Sequence, residues 1–317
     1  MQSNILRAGV FGLTLLWGGY WITAMASSEP VASAIDDSTT LEVVYRRGYV
    51  DSTFGQVHYH VAMPRGGTTT ALPVVLFHQT PKSAWEYEFL LRALGKDRVA
   101  IAVDTPGYGE SDRPPEPQSM ESLAEALATA LDALSIKLMI EQFDVFGFHT
   151  GAFLATELAL QRPLQVRGVV LSGLAYRSAS ERAELLNQLP VEFEFPIDAS
   201  RLMDRWQRMV VDREEGVSKE RAMRVFLEDI HSLGYWWYAY IGVWNYPIAE
   251  KLVRLKGPVL ILQPHEMLLE ETRRIHREVI PSADYIELPD VQHPVRVFET
   301  GSRSFAHALR AWLDVLD

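Results

Sequence analysis

The segment Asp144-Val145-Phe146-Gly147-Phe148-His149-Thr150-Gly151 constrains the fold of this chain more than any other. An apolar run enters Gly-x-His-x-Gly, and a helix-forming stretch, residues 152–160, leaves it. Strand, tight turn and helix in direct succession form a strained elbow that holds its central side chain exposed. Glycines on both flanks permit backbone angles and a helix–strand approach that a side chain would block. The apex residue here is His149, where such a turn ordinarily carries serine.

The rest of the chain alternates in the same way. Extended segments are predicted at residues 43–50 and 56–62, separated by the hairpin-type break Asp51-Ser52-Thr53-Phe54-Gly55. Short apolar strands follow at 73–77, 99–103, 143–146, 166–171, 258–262 and 285–288. Helices are predicted between them, at 84–94 and at 120–134, where Leu123, Leu127, Leu131 and Leu134 share one face. The last helix carries Phe305, Leu309, Trp312, Leu313 and Leu316 at helical spacing. Such alternation implies an α/β fold with a doubly wound, mostly parallel sheet. Residues 176–246 interrupt it with charged helical stretches and the aromatic cluster Tyr235-Trp236-Trp237-Tyr238-Ala239-Tyr240, too long for an ordinary loop. They read as an inserted helical cap, which leaves 41–175 and 247–317 as the core.

Residues 1–40 stand apart. Arg7 precedes an uncharged, mostly apolar stretch, residues 8–26, that ends Ala24-Met25-Ala26-Ser27. A basic start, an apolar segment and an Ala-x-Ala site match an export signal to the periplasm or exterior. The competing reading is a membrane anchor, because the length approaches the ~20 residues that span a bilayer. A small, polar linker follows to Thr40. The formal charge of −11 and the absence of basic runs argue against nucleic-acid binding. With no cysteine, disulfides, thiolate catalysis and cysteine metal sites are excluded.

Four motifs fall in a fixed order at strand ends: His78-Gln79-Thr80-Pro81, Asp104-Thr105-Pro106-Gly107-Tyr108-Gly109, the elbow, and Asp290-Val291-Gln292-His293-Pro294. In this order and spacing, over roughly residues 43 to 317, the chain resembles the α/β-hydrolase superfamily in its capped branch. The resemblance implies a catalytic site at the elbow, with His293 as general base and an acid just beyond the seventh strand. Three positions depart from the family pattern. His149 stands where a Ser, Asp or Cys nucleophile is usual. In Gln263-Pro264-His265-Glu266-Met267 the best-aligned acid position is Met267, with Glu266 one residue away. Gln79 replaces the glycine of the family's His–Gly loop. Together they point to altered or lost chemistry rather than to one drifted residue.

An imidazole at the apex can serve as a general base on water or a hydroxyl, since histidine titrates near neutral pH. It can also act as a covalent nucleophile, although acyl-imidazoles hydrolyse readily, or simply fill the turn. Thr150 follows the apex, so its backbone N–H is expected to serve an oxyanion hole, and Thr80 to supply the second N–H. His78 is expected to be structural. Neither His78, His149 and His293 nor His265-Glu266 with His276 has a metal-ligand spacing, so no metal or other cofactor is expected. The expected site is therefore His149, His293 and Glu266, with Thr80 and Thr150 as oxyanion donors. The expected activity is hydrolysis of a small apolar ester or other carbonyl substrate by His-assisted water attack. A lyase or isomerase, or an inactive ligand-binding protein, stands as the alternative. The partner is a small molecule, with membrane attachment only through the N-terminus; no oligomeric state is assigned.

Overall fold

The computed structural model describes residues 42–67, 69–190, 199–292 and 297–316. The apolar segment at 8–26, the linker after it and His293 lie outside the described residues.

An eight-stranded sheet organises the chain, in the order β1-β2-β4-β3-β5-β6-β7-β8. β1 (Val43–Ser52) and β2 (Gly55–Pro64) form an antiparallel hairpin, and β2 pairs antiparallel with β4 (Ala100–Val103). From β4 onward every pairing is parallel, through β3 (Val74–Phe77), β5 (Phe143–Phe148), β6 (Val166–Ser172), β7 (Val259–Pro264) and β8 (Asp284–Leu288). β3, β4 and β5 are buried along their whole length, as strands covered by helices on both faces must be.

The strands' period of two divides the core. Val75, Phe77, Ile101, Val103, Val145 and Leu171 face the helices α2 (Met120–Leu138) and α3 (Thr150–Gln161). Leu76, Ala102, Phe146, Phe148 and Val170 face α1 (Glu88–Leu94) and α10 (Val297–Leu313), where Phe298 and Phe305 pack edge-on to Phe146. Leu123, Leu127, Leu131 and Leu134 are all buried, and the helix runs one turn past the predicted end at residue 134. Ser119 caps its start by accepting the Ser122 N–H, and Met139 ends it in the left-handed conformation. The segment predicted as one helix at 84–94 is a 3₁₀ turn, Ala84–Tyr87, followed by α1.

Between β6 and β7 the described chain is helical: α4 (Ala179–Asn187), α5 (Ser200–Trp206) continuing into a π turn at Gln207–Val211, α6 (Lys219–His231), α7 (Tyr238–Asn245) and α8 (Ile248–Leu252). α9 (Leu269–Glu278) links β7 to β8. The strand ends that carry His78, Asp104, His149 and Glu266 lie along one edge of the sheet, the carboxyl edge at which open α/β sheets place their ligands.

Candidate active site

The elbow is built by its two flanking glycines. A Cβ on Gly147 would lie 2.1 Å from the Gly151 carbonyl oxygen, and one on Gly151 would lie 1.8 Å from the Phe77 carbonyl oxygen. Both neighbours are backbone and cannot yield, so only glycine lets α3 close against β5 and β3. The cost appears at the apex, where His149 has φ 50° and ψ −114°. A non-glycine residue there carries about 1–3 kcal/mol of backbone strain, held by the surrounding ladder. His149 N–H donates to the Ser172 carbonyl at 2.9 Å, and its own carbonyl accepts the Ala152 N–H at 2.9 Å.

The imidazole of His149 is clasped on two sides. It stacks on Phe148 with ring centres 4.1 Å apart, and a Cβ on Gly173 would lie 2.2 Å from its Cδ2. Its Nε2 meets Glu266 Oε2 at 3.2 Å. The side chain is 15 % exposed, whereas the Glu266 carboxyl is fully enclosed. Glu266 is held in turn: its Oε1 accepts from Gln263 Nε2 at 3.0 Å and from the Leu268 N–H at 3.1 Å. Gln263 Oε1 accepts the Gly173 N–H at 2.9 Å, which ties the glycine beneath the ring to the same network. With Oε1 occupied by two donors, Oε2 is the oxygen left to pair with His149 Nε2, and a carboxylate there selects the Nε2–H tautomer. Nδ1 then carries the lone pair, and no described residue hydrogen-bonds it.

The structure thus joins two of the predicted catalytic residues directly. The resemblance implies that the acid beyond β7 serves His293, which lies outside the described residues; the structure pairs Glu266 with His149. The one-residue offset at the end of β7 also resolves, since Glu266 turns inward and Met267 is 67 % exposed. The sequence pattern does not mark the roles of Gly173 and Gln263.

Thr150 is the first residue of α3, so its N–H has no partner inside the helix. Thr80 is buried in the loop after β3, and its carbonyl accepts from Tyr240 Oη at 3.1 Å. His78 is fully buried and bonded through both ring nitrogens: Nδ1–H donates to the Gln79 carbonyl at 2.8 Å, and Nε2 accepts the Thr105 N–H at 2.9 Å. Burial holds its pKa below the ordinary range and keeps it neutral. Asp104 anchors the neighbouring turn by accepting from the Ala84 and Glu110 N–H groups and from His58 Nδ1 at 2.9 Å. A Cβ on Gly109 would lie 2.1 Å from that carboxylate, which accounts for the glycine-rich turn without a phosphate ligand. The aromatic cluster reaches the same loops: Tyr108 Oη donates to the Trp236 carbonyl and accepts the Ala239 N–H.

A cavity of about 710 Å³ lined by Gln142, Leu160, Arg167, Arg254 and Lys256 opens at the amino ends of β5–β7, on the far side from the elbow.

Residues 73–293 match the sequence profile described as alpha/beta hydrolase fold. The chain is 29% identical over 160 residues to a proline iminopeptidase of Heyndrickxia coagulans, a match covering 49% of this chain and 53% of that protein. It is 34% identical over 107 residues to a 2-hydroxymuconate semialdehyde hydrolase of a Pseudomonas species, covering 32% of this chain and 36% of the relative. The chain therefore spans about half, or less, of the curated relatives it matches. Among solved structures, a hydrolase from Pseudomonas aeruginosa superposes with a TM-score of 0.65 at 18% identity, over 84% of this chain and 98% of the other. At that identity the likeness concerns the fold alone.

Proposed function

The chain belongs to the alpha/beta hydrolase fold family, and on that premise we propose that it hydrolyses a small, fairly apolar ester or related carbonyl compound with water activated by His149. The observation that carries this reading is the pair His149 Nε2–Glu266 Oε2 at 3.2 Å, with the carboxylate itself anchored by Gln263 and Leu268. A carboxylate on one ring nitrogen fixes the tautomer and leaves the other nitrogen basic. In the proposed step, His149 Nδ1 takes a proton from water while the oxygen attacks the carbonyl carbon. The resulting oxyanion is held by the N–H groups of Thr80 and Thr150, each worth about 3–4 kcal/mol. Collapse breaks the bond to the alkoxide leaving group, which receives the proton from Nδ1. His293 is the second proton-transfer group of the proposal. The helices between β6 and β7 serve as the cap, with Tyr240 bonded to the Thr80 carbonyl from above.

One observation favours the inactive ligand-binding protein as a second reading. The His149 ring is packed between Phe148 and the Gly173 backbone with little freedom to move, as a filler of the turn would be. A panel of activated esters and lactones separates the two. The wild type is expected to turn over at least one member, and His149→Gln and Glu266→Gln to lose that turnover at unchanged fold. No turnover across the panel overturns the hydrolase. Turnover that survives His149→Gln overturns the assignment of the base.

A further inference from the structure

We propose that Glu86 is a positioning residue that aims the Thr80 N–H toward the elbow, acting through Gln79. The inference rests on the hydrolase reading of the site and goes beyond it, to the residue pair that replaces a flexible glycine in the loop after β3.

The loop is pinned plane by plane. Gln79 N–H donates to Glu86 Oε1 at 3.0 Å, and Gln79 Nε2 donates to Glu86 Oε2 at 2.9 Å. One buried carboxyl thus grips both the backbone and the side chain of the same residue, and both residues are 7 % exposed. The next peptide plane is fixed by His78, whose Nδ1–H holds the Gln79 carbonyl at 2.8 Å. A trans peptide is planar, so the N–H of Thr80 points opposite to that carbonyl. With the Gln79 carbonyl held by the buried His78 ring, the direction of the Thr80 N–H is set, and no described residue accepts it. Glu86 fixes the plane before Gln79 and His78 the plane after it, so the two backbone angles of Gln79 have no slack. A glycine at 79 would lack the side-chain tether.

The charge state of Glu86 suits this role. Burial pushes its carboxyl up to about 8, against the smaller opposing influences of Gln79 and Lys82, with Glu228 on α6 adding to the rise. Burial thus favours the uncharged acid over the carboxylate at neutral pH. Its O–H can donate to the Gln79 side-chain carbonyl once that amide turns over, while Oε1 still accepts the backbone N–H. An uncharged clamp puts no negative charge near a developing oxyanion.

The test compares wild type, Glu86→Gln, Glu86→Leu and Gln79→Gly on the best ester of the panel, together with calorimetric binding of n-butylphosphonate as a tetrahedral anion. Glu86→Leu is expected to lower kcat about 10²-fold, the scale of one lost oxyanion donor, with KM changed less than threefold and phosphonate binding weakened at least tenfold. Glu86→Gln, an uncharged clamp at every pH, is expected to keep wild-type kcat at pH 7. The wild type is expected to lose kcat as pH rises through about 8, and Glu86→Gln to lack that fall. Wild-type kcat and phosphonate affinity in Glu86→Leu would overturn the proposal. Where Glu86→Leu does not fold, Gln79→Gly decides: a severalfold loss of kcat is expected, and no loss overturns it. A wild type that turns over no ester fails the hydrolase reading, yet the phosphonate arm still judges Glu86, so the two failures are distinguishable.

Discussion

Gly173→Ala tests how the imidazole is seated. Gly173 has φ +63°, where an L side chain costs about 1–2 kcal/mol. Its new Cβ would lie 2.2 Å from His149 Cδ2 and 2.7 Å from Nε2. Carbon contacts settle near 3.5–4.0 Å, so the ring must retreat by more than about 1 Å. Phe148 blocks part of that movement by stacking at 4.1 Å. A retreat of that size breaks the 3.2 Å contact with Glu266, and a hydrogen bond to a charged group contributes about 1.5–3 kcal/mol. Strain and lost bond together give about 2.5–5 kcal/mol of destabilisation. A catalytic group misplaced by about 1 Å costs on the order of 10² in rate. Urea unfolding and ester kinetics on the same preparation read both effects: a lower midpoint with unchanged m, and kcat down about 100-fold. A variant with wild-type midpoint and wild-type kcat would refute the seating of His149 between Phe148 and Gly173.

Glu266→Gln should leave the fold intact and lower kcat by on the order of 10²–10⁴, because an amide there no longer enforces the Nε2–H tautomer; steady-state kinetics beside a circular dichroism melt checks it. Gly151→Ala should destabilise by more than about 4 kcal/mol, since its Cβ meets the Phe77 carbonyl at 1.8 Å with backbone on both sides, and soluble yield or a urea midpoint would show it. Glu86→Gln should grow more stable relative to wild type as pH rises. The carboxyl's folded pKa of about 8 exceeds its ordinary 4.5, so its contribution is complete below about 4.5 and is lost as pH climbs to about 8. The slope is about 1.4 kcal/mol per pH unit, read from urea midpoints of both proteins at pH 5 and 7.5. His60 runs the other way: burial lowers it to about 4 from 6.5, so stability it contributes above 6.5 is lost on acidification. His60→Gln should flatten that acid limb.

The fold was legible because its signals are local. Gly147 and Gly151 mark the elbow in five consecutive residues, and the strands β3, β4 and β5 are short apolar runs that only a doubly covered sheet can bury. Helix α2 ran past its predicted end because exposed Ile136 breaks the apolar face before the helix itself stops at Leu138. The site was legible in its members and not in its pairings. His149 and Glu266 are 117 residues apart, and which of Glu266 and Met267 faces inward depends on the backbone rotation beyond β7. Gln79 and Glu86 lie seven residues apart across a loop and a 3₁₀ turn, a spacing with no helical or strand periodicity to announce it. Gly173 matters through the space it leaves, and an absent side chain writes no motif.

The most direct measurement of the central claim is intact-protein mass spectrometry on rapidly quenched single turnovers in ¹⁸O water, using the best ester of the panel. Water activated by His149 is expected to place one ¹⁸O in the product acid while the protein mass never changes. A transient protein adduct of the acyl mass on His149 would contradict it, as would product acid without the label.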